Sequence, residues 1–135
     1  MRLSEDMLGR TIWLERRRIL LSAAAAALLV GGCTRPEGTL VPGGDVARGK
    51  RLIESTGCGA CHTIAGIRSA HGEVGPPLTG MARRSFIGGE LANTPANMVR
   101  WIEDPQTVEP NTAMPNLGLG EQSARDIAAY LYTLR

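Results

Sequence analysis

Two cysteines and a histidine lie close together in the segment CGACH, residues 58–62. Two thiols at this spacing can each form a thioether with one vinyl group of the same haem. An imidazole directly after the second thiol can then bind the haem iron. The segment therefore predicts one covalently attached haem, held by Cys58 and Cys61, with His62 as an axial ligand of the iron.

Two other kinds of site use the same residue types. A Cys-x-x-Cys pair can be a redox-active dithiol, but that chemistry is typical of folds in which strands alternate with helices, and no strand-like alternation surrounds the motif. Cys58, Cys61, His62 and His71 could also bind a zinc ion, although structural zinc sites usually take their second ligand pair from a separate segment. Both remain alternatives to haem attachment, which the motif favours.

The second axial ligand decides whether a haem iron can bind small molecules. Met114 lies in the loop NTAMPNLG, where two prolines can hold its thioether at a fixed position, and it is the predicted ligand. His71 is the main alternative, because two histidines are a common ligand pair. Met98 lies on an apolar helix face, where core packing is expected, and Met81 follows the segment GPPLTG too closely to reach the other face of the ring. A Met/His pair raises the reduction potential and leaves no open position on the iron.

The first 32 residues have the composition of an export signal. Three arginines precede an apolar run over residues 19–32, which is shorter than a transmembrane helix and typical of a signal peptide. The run ends in VGGC, which resembles the processing site of bacterial lipoproteins, where Cys33 would be acylated; ordinary cleavage or an uncleaved anchor are the alternatives. We expect a signal peptide over 1–32, an acylated Cys33 with a flexible linker to residue 44, and a haem domain over 45–135.

Apolar spacing and capping residues predict three main helices. The first covers 45–56 with Asp45 as its N-cap and is expected to continue directly into CGACH. The second covers 94–104, with Thr94 as its N-cap, and the third covers 121–134. Gly49 costs the first helix about 1 kcal/mol relative to Ala, so it indicates the close approach of another element. On the second helix, Trp101 could either cover the haem or pack between helices.

Four segments occur together in an order typical of one family: GDVARGKRLIESTGCGACHTIAG, GPPLTG, TAMP and RDIAAYLYTL. By these motifs the chain from Gly44 onward resembles the class I monohaem cytochromes c. The resemblance is greatest to the cytochrome c domain that is fused to subunit II of some bacterial haem-copper oxidases. Here we expect a stand-alone lipoprotein, in which a lipid anchor takes the place of the oxidase subunit domain.

The resemblance implies an all-α fold, with three to five helices around one haem c. It implies thioethers at Cys58 and Cys61, axial ligation by His62 and Met114, and a hydrogen bond from the His62 ring to the carbonyl of Pro76. It also implies that the first helix packs across the last one, through the residues Gly49, Ile53, Ile127 and Tyr130.

The resemblance implies an electron carrier and not an enzyme. We expect it to pass single electrons between membrane respiratory complexes towards a terminal haem-copper oxidase, on the periplasmic side of a bacterial cell envelope, as a monomer or bound to the oxidase. The alternatives are a fixed haem subunit of an oxidase or dehydrogenase, and a haem sensor or peroxidase for a small ligand. From Cys33 onward ten Arg and Lys residues balance ten Asp and Glu residues, so neither strong electrostatic steering nor nucleic-acid binding is expected.

Overall fold

The computed structural model describes residues 40–135. The predicted signal peptide, Cys33 and most of the predicted linker lie outside the described residues. Residues 40–135 contain five helices, which are α1 (Val46–Ser55), α2 (Cys58–Cys61), α3 (Pro95–Glu103), α4 (Pro105–Val108) and α5 (Glu121–Leu131). A single 3₁₀ turn (Met81–Arg83) and an antiparallel pair of two-residue strands, β1 (Phe86–Ile87) and β2 (Leu91–Ala92), complete this part of the chain. The predicted all-α fold class is confirmed.

The long helices begin where the sequence supplies a cap. The side chain of Asp45 accepts the backbone N–H of Arg48 at 2.7 Å, and that of Thr94 accepts the N–H of Asn97 at 3.3 Å. Both N-caps were predicted, and both are confirmed. Helix α5 ends at Leu131, three residues before its predicted end, because the N–H groups of Thr133 and Leu134 bond to carbonyls only three residues back.

Helices α1 and α5 cross at Gly49, and this crossing forms one side of the core. A β-carbon at position 49 would lie 1.9 Å from the carbonyl oxygen of Asp126, so the two backbones are in direct contact. The apolar faces of α3 and α5 pack against the crossing through Met98, Ile102 and Ile127, all at most 5% exposed. The predicted packing of the first helix across the last one is confirmed at Gly49.

A buried carboxylate fastens the start of α1 to α5. Asp126 is 1% exposed and accepts hydrogen bonds from the Asp45 backbone N–H at 2.8 Å, from Gln122 Nε2 at 3.0 Å and from the Arg48 guanidinium. The bond from Arg48 is the main cause that holds the pKa of Asp126 below its usual range, and the same bond raises the pKa of Arg48. Since all four polar groups are paired, the cost of burying this carboxylate is offset.

The prediction that the first helix runs directly into CGACH is wrong. Helix α1 ends at Ser55, and the N–H of Thr56 bonds back to the carbonyl of Leu52 at 2.8 Å. Gly57 then adopts a left-handed conformation, with φ of 80°, and α2 starts anew at Cys58. A left-handed residue cannot continue a right-handed helix, so Gly57 turns the motif away from the axis of α1.

The packed domain begins before residue 45, the predicted boundary. Val41 is fully buried in the core, and Gln122 on α5 donates to the carbonyl of Gly43 at 2.9 Å. The buried side chain of Val41 could not be predicted from this Pro- and Gly-rich stretch, because a single apolar residue produces no periodicity. Residues 41–44 of the predicted linker are therefore part of the domain. No helix in the described part of the chain is long and apolar enough to cross a membrane.

Candidate haem site

Helix α2 places the two cysteines of the motif one turn apart. Cys58 and Cys61 begin and end this four-residue helix, both half-buried and both as free thiols. His62 is the residue that caps the helix, and its backbone N–H bonds to the carbonyl of Cys58 at 3.0 Å. The two thiols and the imidazole line the same cavity.

The backbone fixes the orientation of the His62 ring. Its Nδ1 lies 2.8 Å from the carbonyl oxygen of Pro76, the contact that the resemblance implies. When Nδ1 donates its proton to that carbonyl, Nε2 carries no proton and can bind a metal. Gly75 packs against the ring, since a β-carbon there would lie 2.3 Å from Cε1 of His62, and its N–H bonds to the Cys61 carbonyl at 2.8 Å. Gly75 and Pro76 therefore hold the imidazole through their backbone.

The cavity has a volume of about 440 Å³ and mostly apolar walls. That volume lies in the range of small-molecule and cofactor sites. Val74, Phe86 and Leu117 are three of the four large apolar side chains that are exposed in residues 40–135, and all three line this cavity. Binding an apolar ring here would therefore remove them from water. A haem, whose ring is apolar and whose two vinyl groups can form thioethers with paired thiols, fits this donor set and these walls.

Met114 lines the same cavity as His62 and is half-buried. Its backbone is bonded at both polar groups: Gln106 Nε2 donates to its carbonyl at 2.7 Å, and its N–H donates to Thr112 Oγ1 at 3.2 Å. Met81 and Met98 also line the cavity, but they are 5% and 1% exposed and belong to the core. Met114 is the methionine presented by a loop, and its role as the second axial ligand stays a prediction.

His71 does not line this cavity in the part of the chain that the structure describes. It is exposed and pairs through its backbone with Thr63. Within residues 40–135 no group of three or more His, Cys, Asp and Glu side chains is placed to hold a metal ion. The geometry therefore does not assemble the zinc site that the sequence left open. Nor does the region around the motif show the alternation of strands and helices that a thioredoxin-like dithiol would need.

Trp101 and Arg84 complete the walls of the cavity. Trp101, whose place the sequence left open, lines it from α3 and packs its ring on Gly88, where a β-carbon would lie 2.6 Å from the ring. Arg84 is the one charged side chain among the lining residues in the described part of the chain. Its guanidinium donates to the carbonyls of Pro77 and Thr79. The sequence analysis did not identify Arg84 as a residue of the site, or Gln106 as a hydrogen-bond donor to Met114. The position of Arg84 shortly after GPPLTG could have indicated it, whereas no sequence pattern indicates Gln106.

Comparison with known proteins agrees with this site. The sequence model of the family described as cytochrome c matches residues 46–135. The chain is 35% identical over 107 residues to cytochrome c2 of Rhodopila globiformis, an alignment that covers 70% of this chain and 97% of that protein. It is 32% identical over 89 residues to cytochrome c oxidase subunit 2 of Alkalihalophilus pseudofirmus, covering 65% of this chain and 25% of the subunit. The corresponding subunit of Bacillus sp. (strain PS3) is 28% identical over 94 residues, covering 67% of this chain and 26% of the subunit.

The chain belongs to the cytochrome c family, whose members carry electrons on a covalently attached haem c. It spans about a quarter of the length of the two oxidase subunits. The predicted cofactor, a covalently attached haem c, and the predicted class, an electron carrier, are confirmed by this membership.

Proposed function

We propose that this cytochrome c is anchored to a membrane through Cys33 and carries single electrons between respiratory complexes on the periplasmic side, towards a terminal haem-copper oxidase. The observation that carries the proposal is that His62 and Met114 line one apolar cavity together with the two cysteines of the motif. A Met/His pair occupies both axial positions of the iron. Such a site exchanges electrons and leaves no position for oxygen or peroxide.

Each group of the site has a separate role in this proposal. When bound, the haem supplies the one-electron redox chemistry. Cys58 and Cys61 would hold the ring by thioethers, and His62, with its Nδ1 proton on the carbonyl of Pro76, would have Nε2 free to bind the iron. Met114 would supply the soft thioether, a ligand that favours ferrous iron and raises the reduction potential. The apolar walls exclude water, which limits the solvent reorganisation that accompanies a change in charge.

The length of the tether supports transfer close to the membrane. Val41 is buried in the domain, and seven residues, 34–40, lie between it and Cys33 in the sequence. Seven residues span at most about 25 Å when fully extended. A domain confined in this way meets membrane partners at a high effective concentration. The balanced charge of the chain from Cys33 onward gives little long-range steering, so the tether contributes more to the encounter than electrostatics do.

The names of the similar proteins are the reason for proposing an oxidase as the electron acceptor. Two of the three similar proteins are named cytochrome c oxidase subunit 2, and each matches this chain over about a quarter of its own length. The match between this cytochrome and a part of each oxidase subunit supports an oxidase as the electron acceptor of this protein.

The proposal is tested by electron transfer in proteoliposomes that contain a bacterial haem-copper oxidase. The lipidated protein is compared with a Cys33→Ser form, which lacks the thiol needed for acylation. We expect the lipidated form to reduce the oxidase faster in proteoliposomes, and the two forms to be equal with the oxidase in detergent. Equal rates in the proteoliposomes, with acylation of Cys33 shown by mass spectrometry, would contradict the tethering.

A second function, a fixed haem subunit of an oxidase, is also favoured by the names of the relatives. It is distinguished by purification. A fixed subunit stays with the oxidase in constant stoichiometry when membranes are solubilised and washed at high salt, whereas a mobile carrier is released from it by detergent alone.

A further inference from the structure

We propose that Gln106, on the one-turn helix α4, holds the Met114 loop in its closed position and so protects the bond between the thioether and the iron. The Met114 loop is defined as residues 111–116. The inference rests on the proposed function, because it takes Met114 as the second axial ligand. Gln106 is a positioning residue, since it acts through Met114 and touches no reacting atom.

The contact itself joins two separate elements. Gln106 Nε2 donates to the carbonyl of Met114 at 2.7 Å, across eight positions of the chain, and the contact is half-buried. The other polar group of the Met114 backbone, its N–H, donates to Thr112 Oγ1 inside the loop at 3.2 Å. Gln106 therefore supplies the side-chain hydrogen bond that fastens the Met114 backbone to a neighbouring helix.

Helix α4 is a firm base for this bond. Pro105 is buried at its first position, and the side chain of Asp104 accepts the backbone N–H of Thr107 at 3.4 Å and its hydroxyl at 2.5 Å. The backbone of Gln106 is thus fixed from both sides before its side chain reaches the loop.

Other hydrogen bonds hold the two ends of the loop: the N–H groups of Asn111 and Thr112 bond to Glu109, and the side chain of Asn116 bonds to Asp104. Ala113 and Pro115, on either side of Met114, are exposed. Segments with little buried apolar surface open locally at low free-energy cost. The bond from Gln106 therefore acts at the centre of the loop, on Met114 itself, where it adds to the closure that the end contacts provide.

Loss of the hydrogen bond from Gln106 to Met114 should let an added ligand bind the iron more tightly. An added ligand such as imidazole replaces the thioether only when the loop is open, so its apparent affinity follows the open fraction. One net hydrogen bond corresponds to about a fivefold change in an equilibrium constant. We therefore expect Gln106→Met, which keeps the length of the side chain and loses the donor, to bind imidazole about fivefold more tightly than the unmodified protein.

The experiment is an imidazole titration of the ferric, haem-loaded protein followed by absorption, with hydrogen exchange of residues 111–116 as a second measurement. Gln106→Lys restores an N–H donor at similar reach and should recover part of the native affinity. Gln122→Met is the matched control, because Gln122 Nε2 donates to Gly43 and Asp126, neither of which lines the cavity. The control should leave imidazole affinity unchanged even if it lowers global stability.

The outcomes separate the two proposals. If the unmodified ferric protein lacks the long-wavelength band of a methionine-ligated iron, the proposed function fails and this inference falls with it. If the band is present and Gln106→Met leaves both imidazole affinity and loop exchange at native values, the inference alone is overturned. An equal gain in affinity for Gln122→Met would also overturn it, because the effect would then reflect general destabilisation. Should Gln106→Met not fold, Gln106→Ala is titrated against the same control.

Discussion

Replacing Gly49 with Ala places a methyl group inside the crossing of α1 and α5. Its carbon would lie 1.9 Å from the carbonyl oxygen of Asp126 and 3.0 Å from the backbone nitrogen of Ile127. Carbon atoms normally approach a carbonyl oxygen no closer than about 3.3 Å, so the helices must separate by more than 1 Å. Both neighbours are backbone atoms, and no change of side-chain rotamer relieves the contact.

Two opposing terms set the size of the effect. Ala in place of Gly favours a helix by about 1 kcal/mol, whereas forcing a methyl group into a packed core costs up to about 3 kcal/mol. Separating the helices also strains the bonds of Asp126 to Asp45 and Arg48. We expect Gly49→Ala to lower the free energy of unfolding by about 2 kcal/mol, which corresponds to a fall in Tm of about 8–16 °C for a domain of this size.

The assay is urea and thermal unfolding of the haem-loaded protein, followed by circular dichroism and by haem absorption. Gly120→Ala is the matched control, because its φ is −74° and no atom of residues 40–135 lies within 4 Å of the added carbon. It should change stability by no more than about 0.5 kcal/mol. If Gly49→Ala proved as stable as the native protein, or more stable, the close contact of the two helices would be refuted.

Two further predictions concern Asp126 and Gly75. The hydrogen bond from Arg48 is the main cause that lowers the pKa of Asp126 in the folded protein. The ionised carboxylate therefore stabilises the fold fully above the pKa of an unfolded Asp, about 3.9. This contribution is lost as the pH falls through the lower folded-state pKa. Asp126→Asn should cost about 2 kcal/mol at pH 7 and flatten the pH dependence of urea unfolding below about pH 4; an unchanged dependence would contradict this role. Gly75→Ala should push the His62 ring off the Pro76 carbonyl, lower stability by about 2 kcal/mol and shift the haem spectrum; Gly120→Ala again serves as its control, and a native spectrum at native stability would contradict the contact.

The three long helices were predictable because each has local signals. Asp45 and Thr94 are caps that act within one turn, and the apolar spacing of α5 is regular. The small elements have no such signal. The two strands, Phe86–Ile87 and Leu91–Ala92, are too short to show alternation. Helix α4 was not predicted because Asp104 both ends α3 and caps α4, and the proline that follows it indicates the end of helical structure.

The site was predictable where covalent chemistry sets the spacing and unpredictable where tertiary contacts decide. Cys58, Cys61 and His62 must be close in sequence to act on one haem, so the motif identifies them. The prolines beside Met114 favoured it over His71, but its place in their cavity depends on how the loops fold back, which no local pattern encodes. Gln106 is a more extreme case, because its role comes from a single contact with the Met114 carbonyl.

We propose His62 and Met114 as the two axial ligands of one covalently bound haem. The most direct test is the absorption spectrum of the purified ferric protein, in the region of the weak long-wavelength band that marks a methionine thioether on ferric iron. We expect this band in the native protein and its loss in Met114→Ala, while His71→Ala, Met81→Leu and Met98→Leu should retain it. A native protein without the band, or a band that survives in Met114→Ala and disappears in one of the other methionine variants, would contradict the account.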